Sequence, residues 1–85
     1  MLQEFWVPLK PASPEMQPIS VMLNLNDTLD ELKLKIYEQA PNLNPDSYIL
    51  IYRGKTMEPH FTMKSFYIEP GNTIDMASFK FIIFN

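Results

Sequence analysis

Cysteine is absent from the 85 residues, which removes a disulfide framework, a thiolate zinc site and a cysteine nucleophile together. A disulfide-stapled secreted mini-protein is therefore disfavoured. Histidine occurs once, at His60 beside Pro59, so neither a multi-histidine metal centre nor a Ser-His-Asp site has a local motif behind it. His60 reads as a surface or capping residue. The two glycines, Gly54 and Gly71, are too few and too far apart to form a phosphate-cradling loop. Long apolar runs are missing too. The longest run of large apolar residues, Phe81-Ile82-Ile83-Phe84, is far short of the roughly 20 residues that span a bilayer. The opening residues carry no basic n-region of a signal peptide and no arginine-rich transit pattern, so the expected location is intracellular, cytoplasmic or nuclear. Positive charge is in short supply, with seven basic against ten acidic side chains and a net charge of -3. That is the wrong sign for covering phosphates, and no nucleic-acid partner is expected. With these classes removed, the chain is expected to be no enzyme, to need no cofactor or metal and to take no small-molecule substrate.

What the sequence does have is apolar content, 46% of residues, enough for one small core and not for two domains. Phe5, Val7 and Leu9 fall at period two and predict a first strand. Prolines at 8, 11, 14 and 18 follow, and Pro11-Ala12-Ser13-Pro14 predicts a loop because each proline lacks an amide donor. Ile19, Val21, Leu23 and Leu25 alternate as a returning strand. Trp6 and Met22 then share the outer face of this pair, whereas a slip of one residue would bury Trp6. Thr28-Leu29-Asp30-Glu31 has the form of a capping box, and Leu29, Leu32, Ile36 and Ala40 recur at helical spacing up to Pro41. Asp30 and Glu31 read as capping and dipole groups rather than as paired catalytic carboxylates. After turn residues at 42–46, Tyr48-Ile49-Leu50-Ile51-Tyr52 predicts a strand with Leu50 and Tyr52 on one face and Ile49 and Ile51 on the other. Met57, Phe61, Met63, Phe66 and Ile68 space out a partly buried connection with a short helical turn near 62–67. Met57, Met63 and Met76 read as adaptable core filling. A last strand runs from Thr73 to Ser78, with Ile74 and Met76 inward, and is prolonged by an apolar tail.

Two strands, a capped helix, a strand closed by Gly54-Lys55, a winding connection and a final strand form the β-grasp order, and here specific residues resemble the ubiquitin family. Asp27-Thr28-Leu29 with Lys33, Lys35 and Ile36 is similar to the family's helix opening, and Pro45-Asp46 to the turn after it. Leu50-Ile51-Tyr52-Arg53-Gly54-Lys55 resembles its strand and turn of Leu-Ile-Phe-Ala-Gly-Lys. Glu58, Thr62-Met63, Phe66, Ile68 and Thr73-Ile74 to Met76 continue the match, which runs from about Ile19 to Ser78. Poorer matches are the Ras-association and PB1 kinds of β-grasp domain, which pair through charged clusters, since Lys33, Lys35 and Lys55 are dispersed. The resemblance implies an α+β ubiquitin-like β-grasp, with a mixed sheet of four to five strands on one main helix. A single domain is expected over 1–80, with an apolar tail over 81–85.

The resemblance also frames function. Conjugated members end in a Gly-Gly pair, whereas this sequence ends Ile83-Phe84-Asn85. It places Ile49 and Phe79 where the family's modifier has arginines that engage its activating enzyme. A non-conjugated, non-catalytic protein-binding module is expected, serving as an adaptor or as a small subunit of a larger assembly. The alternative is a covalent modifier with an atypical or processed terminus, for which Lys55 resembles a chain-linking lysine. The resemblance centres the binding face on Ile51 with Gly54 beside it, and puts Asp75 in place of a histidine and Ala77 in place of a valine. By strand parity Ile49, Ile51, Ala77 and Phe79 form an apolar strip edged by Arg53 and Asp75. The strip meets a protein partner or is covered by the chain's own first loop or tail. For the tail residues Phe81, Ile82, Ile83 and Phe84, the alternatives are anchoring in a neighbouring protein and packing on the parent domain.

Overall fold

The computed structural model describes residues 3–12, 14 and 16–78. Strands β1 (Glu4–Pro11) and β2 (Ile19–Asn24) pair antiparallel, with Val7 opposite Val21 and Trp6 opposite Met22. Helix α1 (Leu29–Gln39) follows, then a 3₁₀ turn over Pro45–Ser47, β3 (Tyr48–Tyr52), β4 (Lys55–Thr56), a second 3₁₀ turn over Met63–Phe66, and β5 (Ile74–Ser78). The sheet order is β2-β1-β5-β3-β4, with β1 and β5 parallel and the other neighbours antiparallel. This is the mixed β-grasp sheet that the resemblance implies, with five strands where four to five are expected.

One expectation fails at the prolines. The strand continues through Pro8 and Pro11, and the Ala12 amide donates to the Met76 carbonyl at 2.8 Å. The reason lies in the direction of the missing donors. Leu25 N donates to Gln3 O at 2.9 Å, so the odd-numbered residues of β1 make the hydrogen-bonded pairs with β2. Pro8 therefore falls in a non-hydrogen-bonded pair, its nitrogen turned towards β5, whose register with β1 begins only at Leu9. Pro11 has the opposite orientation, but β2 begins at Ile19, opposite Leu9, so its nitrogen aims past the end of that strand. Each proline occupies a place where no ladder bond was available to lose.

The helix begins as its sequence dictates. Thr28 Oγ1 accepts from Glu31 N, and Glu31 Oε1 accepts from Thr28 N at 2.8 Å, closing the capping box. Leu29, Leu32 and Ile36 turn onto the sheet and join Val7, Val21, Leu23, Leu50, Met63, Ile74 and Met76 in one core. Met57, Met63 and Met76 are all buried, as core filling requires. Phe61 departs from its expected partial burial and is exposed, its ring set edge-on against Phe66. The second 3₁₀ turn is tied to the helix entrance, since Met63 N donates to Asp27 O and Lys64 N to Leu25 O. Lys35 reinforces the same junction through Asp27 Oδ2 at 2.6 Å and the Met22 carbonyl at 2.9 Å. Among the described residues no helix is long and apolar enough to cross a membrane.

Candidate protein-binding face

The sheet hides one face under α1 and leaves the other outward. Strand β3 alternates buried and half-buried, with Tyr48, Leu50 and Tyr52 inward and Ile49 and Ile51 outward. Its neighbours complete the outer rows. Ile49 stands opposite Ala77, and Ile51 is flanked by Asp75 of β5 and Thr56 of β4. The next residue along the second row is Lys10 of β1, in register with Asp75. An opposite charge thus stands beside the carboxylate, across adjoining strands. Neither Lys10 nor Thr56 is legible as part of this face from sequence, because their places depend on the parallel β1–β5 register and on a two-residue strand.

Arg53 and Gly54 form the two-residue loop between Tyr52 and Lys55, with φ of 53° and 81°. Positive φ at both positions is the type I′ geometry that matches strand twist, and at Gly54 it is the backbone angle rather than crowding that calls for glycine. Arg53 is exposed, and its guanidinium lies 5.4 Å from the centre of the Tyr52 ring. Asp75 is exposed as well. Ala77 shares the outward parity but is only 9% exposed, because a methyl group on an inner strand sits below its larger neighbours. The structure therefore brings Ile49, Ile51, Arg53, Gly54 and Asp75 together at the surface, with Ala77 closed between strands. Phe79 and the tail residues Phe81, Ile82, Ile83 and Phe84 lie outside the described residues. Trp6, 59% exposed, and its cross-strand partner Met22 make a separate outward pair towards the β2 edge.

Beneath the face, Tyr48 is the polar exception in the core. Its ring is buried, its hydroxyl has no hydrogen-bond partner among the described residues, and burial pushes its pKa up to about 12. Lys33 Nζ lies 4.7 Å from the ring centre and donates to the carbonyls of Pro45 and Tyr48. Burial pulls the Lys33 pKa down, with Asp46 and then Asp30 opposing that shift. Between pH 10 and about 12 the unfolded chain releases the Tyr48 proton while the folded chain keeps it, so stability falls as pH rises through this window. Lys33 acts with the opposite sign below pH 10.5, where stability rises with pH. Urea unfolding of Tyr48→Phe should show greater stability at pH 7, by about 1 kcal/mol, since an unpaired buried hydroxyl is removed. The gap should widen from pH 10 to 12; parallel profiles for the two proteins would contradict this reading of Tyr48.

The family model described as "Ubiquitin family" matches residues 16–78, most of the chain. The chain belongs to the ubiquitin family. Among solved structures, this member is similar to the ubiquitin of the archaeon Caldiarchaeum subterraneum, with 20% identity and a TM-score of 0.76 over 88% of this chain and 92% of that one. At that identity the likeness speaks for the shared fold. No curated protein matches.

Proposed function

We propose that this ubiquitin-family chain is a non-catalytic, non-conjugated protein-interaction module, an adaptor or a small subunit of a larger assembly. The observation that carries the proposal is the pair of half-buried isoleucines, Ile49 and Ile51, on the outward sheet face, with Arg53 and Asp75 exposed beside them. Apolar side chains supply affinity when a partner excludes water from them, and the flanking charges of opposite sign fix how that partner lies. Ala77 offers backbone and shape more than area. Phe79 and the anchor residues 81–84 belong to the proposal on sequence grounds.

The non-conjugated reading draws on how the two glycines are used. Gly54 and Gly71 both serve turns at positive φ inside the domain. Incubation with ubiquitin-activating enzyme and ATP should therefore give no thiol-sensitive adduct under conditions that charge ubiquitin. A stable thioester on this chain would overturn the proposal in favour of a covalent modifier.

A further inference from the structure

A second recess lies beside the β3–β4 hairpin, where that hairpin meets the second 3₁₀ turn. It is a groove of about 820 Å³ walled by Tyr52, Phe61, Phe66 and Tyr67, with Arg53 and Lys55 on its rim. Tyr67 is 81% exposed and Phe61 51% exposed, so aromatic surface faces solvent on one side of it. Three of the four rings have a bracing contact. The Phe61 and Phe66 rings meet edge to face at 6.2 Å, and the Tyr52 hydroxyl donates to Asn72 Oδ1 at 2.6 Å.

Two tight turns present their side chains here. Among the described residues, Arg53 and Tyr67 are the two non-glycine positions with positive φ, at 53° and 59°, and both line this groove. A left-handed conformation is unfavourable for a bulky residue and easy for glycine or asparagine. The exposed Tyr67 ring recovers nothing from the core to offset that strain. Tyr67 ends the second 3₁₀ turn in this conformation, its amide donating to the Lys64 carbonyl, and the turn leaves its ring presented at the groove.

Charge selects the occupant. The chain as a whole carries a net charge of -3, yet here two cations, Arg53 and Lys55, oppose one carboxylate, Glu58. The chain's own residues 79–85 contain a lysine and no acidic side chain, which suits this rim poorly. We propose that the groove binds a short segment of a partner protein that lodges one aromatic or large aliphatic side chain against Phe61 and Tyr67 and sets a neighbouring Asp or Glu against Arg53 and Lys55. This surface shares Arg53 and Thr56 with the outward face but neither isoleucine, so its test does not depend on Ile49 or Ile51.

The test is a selection of phage-displayed random peptides on the full chain, counter-selected on its Tyr67→Gly variant, followed by titration of the synthesised winners. Enriched peptides should pair a large apolar residue with an acidic one within two positions. They should bind Tyr67→Gly and Lys55→Glu at least about tenfold more weakly, and Ile51→Lys as well as they bind the parent. Amide NMR shifts should centre on Lys55, Phe61 and Tyr67, and the Tm of Tyr67→Gly should be equal to or above the parent's. No enrichment over the counter-selected pool, a basic or uncharged consensus, undiminished binding to both groove variants, or loss of binding in Ile51→Lys would each overturn the proposal.

Discussion

Ile36→Ala should destabilise the domain by about 3 kcal/mol and lower its Tm by roughly 15 °C. Ile36 has no exposed surface and lies on the helix face that meets the sheet, in one cluster with Leu32, Val21 and Leu23. Truncation removes three buried carbons and leaves a cavity that a five-stranded sheet cannot collapse to fill. In a domain of this size the loss is a large share of a total stability of about 5–15 kcal/mol. Leu34→Ala, two residues away but 63% exposed, should change stability by no more than about 0.5 kcal/mol. Urea unfolding of both variants checks the contrast; equal losses would mean that α1 does not present Leu32 and Ile36 inward.

Ile51→Lys should leave the fold intact and weaken partner capture at least about tenfold. The side chain is half-buried on the outward face, so a lysine stem can lie along the strand with its ammonium in water. Lysine is the better choice of charge because Asp75 stands directly opposite in β5, where a glutamate would face a like charge. At the interface the same substitution places a hydrated cation where the partner would exclude water, and that penalty is large when the charge finds no counterpart. The two halves of the expectation, an unchanged Tm and a lost contact, distinguish a binding residue from a core residue.

Much of this architecture is legible from residue patterns. Thr28 to Glu31 announces the helix start, the spacing of Leu29, Leu32 and Ile36 gives its buried face, and the alternation from Tyr48 to Tyr52 sorts inward from outward side chains. What escapes a sequence reading is whatever depends on register between distant strands. Pro11 looks like a strand breaker until pairing shows its missing donor pointing past the end of β2. Lys10 and Thr56 join the candidate face only through neighbours in space, and Ala77 has the right parity yet too small a side chain to rise between its neighbours. Phe61 reads as partly buried by its spacing, whereas the chain path through the second 3₁₀ turn leaves its ring outside against Phe66. The groove that it helps to wall has no sequence signature, since its aromatics and cations converge from a hairpin and a turn some ten residues apart.

Under the proposed function, this ubiquitin-family domain binds proteins through the outward face around Ile51. Quantitative affinity capture from native extract, comparing the parent chain with Ile51→Lys and with Leu34→Glu on the exposed side of α1, tests it most directly. Captured proteins should fall at least about tenfold with Ile51→Lys and stay at parent levels with Leu34→Glu. Capture that survives Ile51→Lys undiminished, or falls equally with both variants, would contradict it.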